Sequence, residues 1–371
     1  MGGKLKYYTR TDVSTKVQKL EVGRQMIGVG EKMKKIIFGI TSLTIGGAER
    51  VLVDIVNQLK DYDITIFTIY AKGDFEKSLN SHIQFKSLYQ KQYNDLSKWE
   101  KLWIPLKILF LKKQIYQKVI ANHHYDVEVS FLEGPVTRLF SVKNDKVKKI
   151  AWIHNDISQV FGKGIKAKLK KRLDKNLYNQ YQEIIFVSKD NLEKFKATYQ
   201  TNANTKVIYN YINRQNVLEK AREEVENHFN QEVPNLVTVA RLVEQKAIDR
   251  LIRVHYRLRQ KGIYHHVYVI GDGPLKEQLE EQIRKANVED TFHLLGKKQN
   301  PYPYMRMADY FCLFSYFEGY GMVLEEAKIL NKPILITDTA AREAVSNYPK
   351  SIIFNNTDER NRKRPRRYIK K

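Results

Sequence analysis

Two glutamates with seven residues between them, Glu318 and Glu326, are the clearest chemical signal in this sequence. An apolar run, 310–314, precedes the first, so Glu318 is expected in a strand-to-helix loop. Glu326 is expected about two turns into the helix on the same side, with Glu325 about 100° round it. Carboxylates held in this way accept hydrogen bonds from vicinal hydroxyl groups, which indicates a site for a polyhydroxylated ligand. The alternative is that both acids are ordinary charges near a helix N-terminus.

The residues after Glu318 add a preference for phosphate. Gly319, Tyr320, Gly321 and Met322 are expected to start the helix. Their backbone N–H groups would point outward without partners inside the helix, and such a terminus favours phosphate oxygens. Together with the carboxylates, they predict a ligand that carries both phosphate and hydroxyl groups.

Two basic residues, Arg241 and Lys246, follow the expected strand 236–240. Arginine holds two oxygens in a bidentate fork and lysine adds a point charge, so the pair suits a diphosphate. The other interpretation is a surface salt bridge with Glu244 or Asp249.

Two more features end strands in the second half of the chain. Gly271 and Gly273 allow close backbone approach, with Pro274 suited to the first helical position, although a tight turn without ligand contact is the alternative. Leu295 and Gly296 end the next expected strand. Because the carboxyl ends of parallel strands meet at one edge of a sheet, all these features are expected to converge there.

The first half offers a smaller set of candidates. Gly46 and Gly47 lie at a strand-to-helix turn, and His154 and Glu133 each follow an apolar strand. A single histidine in such a place also fits a purely structural role. The acidic segment 61–63 lies at the amino edge of the expected sheet, so no metal site is predicted there.

Alternating apolar strands and helical stretches predict an α/β fold with two Rossmann-like parallel-sheet domains facing a central cleft. The expected strands are 36–40, 64–70, 127–131, 149–153, 183–187, 206–209, 236–240, 267–270, 292–295, 310–314 and 334–337, with a further helical stretch at 165–181. Residues 33–212 are expected to form the first domain and 213–358 the second, with a hinge near 210–214. Residues 1–32 are expected to be a leader extension and 359–371 a basic tail.

Composition narrows the protein class. At 371 residues with 42% apolar content, the chain suits a two-domain globular protein. No uncharged apolar run approaches the roughly 18 residues that span a bilayer, and no secretory signal is visible. The one cysteine, Cys312, excludes an internal disulfide, which suits the cytosol.

The formal charge of +24 indicates anionic partners. Phosphate-rich ligands, anionic lipid headgroups and nucleic acids all fit, as does a merely solvated basic face. The stretch 98–118, with Trp99, Trp103 and Phe110 among lysines, favours docking on an anionic membrane surface.

These motifs resemble the family 4 retaining glycosyltransferases of GT-B architecture, in the branch that builds bacterial capsules and exopolysaccharides. The resemblance extends from about residue 34 to about residue 354 and is strongest over 236–338. The segments that carry it are GGAER (46–50), WIHND (152–156), VARLVEQKAIDRLI, VIGDGPLKEQL, LGKKQNPYPYM and EGYGMVLEEA.

The resemblance implies a nucleotide-sugar donor, here a UDP-sugar, bound mainly by the second domain as a substrate, with no cofactor and no metal. It implies the following roles: Arg241 and Lys246 on the diphosphate, Glu326 on the ribose, Glu318 on the donor sugar, His154 reaching the donor from the first domain, and the backbone of 295–297 on the base. Gly46, Gly47, Gly271 and Gly273 would line the same site.

The chain departs from the family pattern in two places. Ala240 and Ala247 stand where the family commonly has glycine. After the segment 351–354 the family continues into a helix that crosses back to the first domain, whereas this chain continues into the basic run 360–371. We therefore expect the crossing helix to be absent and the closure of the two domains to be weakened.

The expected activity is metal-independent retaining hexosyl transfer to a lipid-linked oligosaccharide or glycan acceptor, in the cytoplasm at the inner face of the cell membrane. One alternative is a non-catalytic subunit that binds UDP without turnover. Charge alone suggests a nucleic-acid-binding protein, but the strand-end features do not, so no nucleic-acid partner is expected.

Overall fold

The computed structural model describes residues 34–357 except 45, 72, 94, 158–171, 173, 175, 211 and 227–228. The expected leader, the basic tail that stands in place of the crossing helix, and most of the expected helix over 165–181 lie outside the described residues. The chain divides into two compact units between Ile212 and Asn213.

The first unit contains a seven-stranded sheet in the order β3-β2-β1-β4-β5-β6-β7, and every pair of neighbours is parallel. Its central strands are rich in Ile, Val and Phe and nearly all their residues are buried, as strands covered on both faces require. The strands are β1 (Lys35–Ile40), β2 (Asp63–Tyr70), β3 (Ile83–Tyr89), β4 (Val127–Ser130), β5 (Lys148–Ile153), β6 (Glu183–Phe186) and β7 (Asn204–Val207).

Four helices are described in this unit, namely α1 (Gly47–Val56), α2 (Lys98–Val119), α3 (Pro135–Phe140) and α4 (Lys189–Thr198). A capping box begins α2: the Ser97 hydroxyl accepts from the Glu100 amide, and the Glu100 carboxylate accepts from the Ser97 amide. The sequence pattern did not predict β3, an edge strand, because its polar residues break the apolar run.

The second unit contains a six-stranded parallel sheet in the order β10-β9-β8-β11-β12-β13. The strand order reverses between β8 and β11, which creates a topological switch point. The strands are β8 (Asn235–Val239), β9 (His266–Ile270), β10 (Phe292–Gly296), β11 (Tyr310–Leu313), β12 (Ile334–Thr337) and β13 (Ser351–Phe354). The helices are α5 (Arg214–Lys220), α6 (Ile248–Gln260), α7 (Lys276–Lys285), α8 (Tyr302–Met307), α9 (Met322–Ile329) and α10 (Arg342–Val345).

The predicted α/β fold with two parallel-sheet units is confirmed, and the eleven expected strands are all present with ends shifted by a residue or two. Alternation along the sequence identified the elements because most of these strands are short apolar runs separated by helical stretches. Among the described residues, no helix combines the length and the apolar character needed to cross a membrane.

Candidate active site

The switch point of the second sheet brings two of the predicted features together. Strands β8 and β11 pair directly, with Leu236 opposite Tyr310 and Val237 opposite Phe311. The segments that follow these strands carry Lys246 and Glu318, and both leave the sheet at its carboxyl edge. Open parallel sheets bind ligands at such a crevice, because the two connections diverge to opposite faces.

Lys246 and Glu318 form a buried ion pair. The Lys246 Nζ lies 2.6 Å from Glu318 Oε1, with side-chain exposures of 17% and 6%. The Ser315 hydroxyl donates to the same carboxylate oxygen at 2.5 Å. The alternative surface pair with Glu244 or Asp249 is therefore wrong for Lys246. The carboxylate can accept hydrogen bonds from a ligand's hydroxyl groups, and the ammonium group beside it can donate to phosphate oxygens. The two groups are held together at the sheet edge.

Arg241 differs from Lys246 in its surroundings. Its side chain is exposed, and its guanidinium pairs with no residue in the described part of the chain. Asp249, which the alternative interpretation would pair with it, instead lies 2.6 Å from Arg253. The Arg241 fork thus remains available for an anionic ligand.

The glycines after β9 are required by the approach of two loops. A Cβ atom on Gly271 (φ +149°) would lie 1.9 Å from the Ala240 carbonyl oxygen, and one on Gly273 would lie 2.6 Å from that of Leu242. No other residue fits, because these neighbours are backbone atoms that cannot move aside. This packing joins the β9 loop to the loop that carries Arg241. The expectation for Pro274 is wrong, since α7 begins at Lys276.

Helix α9 separates the two adjacent acids, as its geometry predicted. The Tyr302 hydroxyl donates to Glu326 Oε1 at 2.9 Å, whereas the Tyr320 hydroxyl donates to Glu325 at 2.6 Å. Glu326 is 6% exposed. It lies about one turn into the helix, and the expected two turns are wrong, because α9 begins only at Met322.

Gly321, in the left-handed region at φ +74°, forms the N-cap of α9. Gly319, Tyr320 and Gly321 therefore precede the helix, and only Met322 belongs to it. The Tyr320 ring is buried and its hydroxyl is bound to Glu325. Of this segment, the backbone remains the part suited to phosphate.

Leu295 and Gly296 lie within β10, two strands from the switch point. The Gly296 carbonyl accepts from the Gly271 amide at 2.9 Å, so this carbonyl holds the β9 loop. Gly296 has φ +70° with open space where a Cβ would stand. Gly296 therefore lies at the carboxyl end of its strand, at the same edge of the sheet as the segments that follow β8, β9 and β11.

His154 in the first unit follows β5 and is 7% exposed. Its ring stacks on Trp152 and no partner among the described residues contacts its Nε2 atom. Burial lowers the pKa of His154 to about 3, so the imidazole is neutral and Nε2 can accept or donate one hydrogen bond to a ligand. The Glu133 carboxylate fixes the segment by accepting from the His154 backbone amide at 3.0 Å.

Gly46 and Gly47 start α1, with Gly46 as the N-cap in extended backbone. A Cβ atom on Gly46 would lie 2.1 Å from the Glu49 carboxylate, so this glycine makes room for an acid rather than leaving an open phosphate cradle. Asp63 begins β2 at the amino edge of the sheet, where the sequence placed it.

Neither Tyr302 nor Ser315 was assigned a role in the site from the sequence. Both lie in the site: Tyr302 is buried and bonds Glu326, and Ser315 is buried and bonds Glu318. Tyr302 is 24 residues from Glu326 in sequence, and that spacing gives no sign that the two side chains meet. For Ser315, a hydroxyl three residues before Glu318 was the available clue.

Comparison with known proteins shows what the second unit and the whole chain are similar to. Residues 219–364 match the family model described as Glycosyl transferases group 1. An uncharacterized glycosyltransferase of Methanocaldococcus jannaschii is 28% identical over 68% of this chain and 65% of its own length. A second relative, from Campylobacter jejuni, is 28% identical over 84% of this chain and 83% of its own length. It is named N-acetylgalactosamine-N,N'-diacetylbacillosaminyl-diphospho-undecaprenol 4-alpha-N-acetylgalactosaminyltransferase.

The fold agrees with that of solved structures. HepE of Anabaena, crystallised in complex with UDP and glucose, superposes with a TM-score of 0.65 over 87% of this chain and 86% of its own, at 19% identity. At that identity the likeness shows the fold alone. The predicted GT-B class of two parallel-sheet units is confirmed at the level of fold.

Proposed function

We propose that this protein, whose residues 219–364 match the Glycosyl transferases group 1 family model, transfers a hexosyl group from a UDP-sugar to a lipid-linked acceptor. We propose further that transfer retains the anomeric configuration and requires no metal. The product would enter the synthesis of a cell-surface polysaccharide.

The observation that carries the proposal is the buried Lys246–Glu318 pair at the switch point, with the exposed Arg241 in the same segment after β8. As the glycosidic bond stretches, negative charge develops on the departing diphosphate. Preorganised cations offset that charge without reorganising at the moment of reaction. Glu318 would hold the donor sugar's hydroxyl groups, and Glu326 those of the ribose.

The acceptor hydroxyl would attack the anomeric carbon from the face that the diphosphate leaves, and the diphosphate would take the proton. No separate protein nucleophile is required by this route. His154, neutral at physiological pH, would bind a hydroxyl or phosphate oxygen of a ligand through its Nε2 atom.

The relatives support the substrate class. The name of the Campylobacter jejuni relative specifies a diphospho-undecaprenol acceptor, and HepE was crystallised with UDP and glucose. A chain of similar sequence and fold is therefore expected to act on substrates of that class.

The test is a panel of UDP-sugars incubated with polyprenyl-diphosphate-linked sugars, with UDP release as the measurement. We expect release that depends on both donor and acceptor and is unchanged by EDTA. An α-linked product from an α-linked donor, shown by NMR, supports retention, and a β-linked product contradicts it. Calorimetric binding of UDP with no release from any donor would instead favour a non-catalytic subunit.

Helix α2 supports a membrane location for the acceptor. One of its faces, with Ile104, Ile108 and Tyr116, is buried on the sheet. At 100° per residue the opposite face is also apolar, and there Trp99 is 71% and Phe110 77% exposed. The full exposed ridge comprises Trp99, Leu102, Trp103 and Phe110, flanked by the exposed lysines Lys98, Lys107, Lys113 and Lys118. We propose that this ridge docks on anionic lipid at the inner face of the cell membrane.

The double substitution Trp103→Ser, Phe110→Ser is expected to lower the affinity for phosphatidylglycerol vesicles by at least about tenfold. The reason is that each aromatic side chain contributes about 1.5 to 3 kcal/mol when buried. Sedimentation with vesicles of phosphatidylcholine, with and without phosphatidylglycerol, measures it. Tyr264→Ser removes another exposed aromatic, 62% exposed in the second unit, and should leave binding unchanged. Equal binding of all three proteins would refute the docking surface.

A further inference from the structure

The segment between β11 and α9 carries Glu318 without any regular structure, yet its first four residues are held through their backbone. Four consecutive carbonyl groups, those of residues 314–317, each accept a hydrogen bond from a side chain. The donors are Arg250 to Phe314 (3.3 Å), Thr337 to Ser315 (2.7 Å), Asn356 to Tyr316 (2.8 Å) and Gln245 to Phe317 (3.0 Å).

These four donors come from four separate parts of the second unit: Arg250 from α6, Thr337 from β12, Asn356 from the segment after β13, and Gln245 from the turn after β8. In a loop, backbone carbonyls are usually satisfied by water or by neighbours within the turn. A segment held from four directions cannot shift without breaking several hydrogen bonds together. We call these four side chains the carbonyl clamp.

Arg250 lies at the centre of the carbonyl clamp. It is 8% exposed, and its Nη1 also donates to Asn356 Oδ1 at 2.8 Å. With that oxygen engaged, the Asn356 amide nitrogen is turned to the Tyr316 carbonyl. The guanidinium lies 4.3 Å from the centre of the Tyr316 ring, a stacking contact that a lysine does not reproduce.

The clamp ends on the acid that would bind the donor. Ser315, whose carbonyl Thr337 holds, donates its hydroxyl to the Glu318 carboxylate, which also receives Lys246. Positional error of about 1 Å in such a group costs on the order of a hundredfold in rate. A rigid support behind Glu318 therefore has a direct effect on turnover.

We propose that Arg250 and Asn356 are positioning residues that hold Glu318 for the donor sugar through the carbonyl clamp. The proposal rests on the proposed function, since it takes the donor sugar as the ligand of Glu318. Within the carbonyl clamp, Arg250 and Asn356 bond to backbone carbonyls and to each other, whereas the diphosphate is assigned to Arg241 and Lys246. The UDP part of the donor should therefore bind equally well without them.

The test compares Asn356→Ala with Asn355→Ala, which removes the adjacent, exposed asparagine. We expect Asn356→Ala to lower kcat/KM for the UDP-sugar by at least about tenfold while the Kd for UDP changes by less than about twofold. Arg250→Lys, which keeps the charge but loses the fork and the stacking contact, should show the same separation. Asn355→Ala should match the unaltered protein in both quantities.

Amide hydrogen exchange supplies a readout that needs no turnover. In peptides covering residues 314–318, exchange should accelerate by at least about tenfold in Asn356→Ala and stay unchanged in Asn355→Ala. Unaltered exchange in Asn356→Ala overturns the proposal, and so does a loss of UDP affinity that matches the loss in kcat/KM. If no sugar nucleotide releases UDP, the proposed function is wrong. The exchange result still shows whether Asn356 holds the segment 314–318 in place.

Discussion

Replacing Arg241 with alanine is expected to lower kcat by about 10² while the free energy of unfolding changes by less than about 0.5 kcal/mol. The guanidinium is exposed and pairs with no residue in the described ranges, so its removal breaks no interaction in the unliganded fold. In the reaction it would face the developing charge of the departing diphosphate. The loss should therefore appear in turnover and leave stability almost unchanged.

Steady-state UDP release and urea denaturation measure the two quantities. Arg222→Ala serves as the matched control, because Arg222 is also an exposed arginine of the second unit and lies outside the site. Arg241→Lys should recover part of the rate, since it restores the charge without the bidentate fork. Turnover of Arg241→Ala within about twofold of the unaltered protein would exclude this residue from the diphosphate site.

The second large effect is expected for Lys246→Ala, which should lose both activity and stability. Counting charges along the sequence treats Lys246 and Arg241 alike, but only Lys246 is paired with a buried carboxylate, at 2.6 Å. Its removal leaves Glu318, 4% exposed, without a cation. Breaking a buried pair in this way costs about 3 kcal/mol, and the loss of the cation should lower kcat by about 10² or more.

A double-mutant cycle separates the two effects. Glu318→Gln removes the stranded charge and keeps an oxygen for the Ser315 hydroxyl, so Lys246→Ala, Glu318→Gln should recover most of the stability that Lys246→Ala loses. Activity should stay low in the double variant, because both ligand-binding groups are altered. If Lys246→Ala unfolds at the same urea concentration as the unaltered protein, the pair does not stabilise the fold as described.

The sequence predicted the classes of element and the residues that carry the chemistry. Short Val- and Ile-rich runs identified the core strands, and the acids and bases that follow them were visible as residues of the required type. The edge strand β3 was not predicted, because Lys86 and Ser87 interrupt its apolar positions. Those signals are local, since they depend on neighbours within one strand or one helical turn.

Contacts between distant residues were decided by the tertiary structure. Lys246 and Glu318 are 72 residues apart in sequence, and they meet because β8 lies beside β11 in the strand order. The bond from Asn356 to Tyr316 depends in the same way on the placement of β13 beside β12. Periodicity identifies a strand but not its neighbours. The sequence alone therefore determined which groups are available, and the strand order determined that Lys246 meets Glu318.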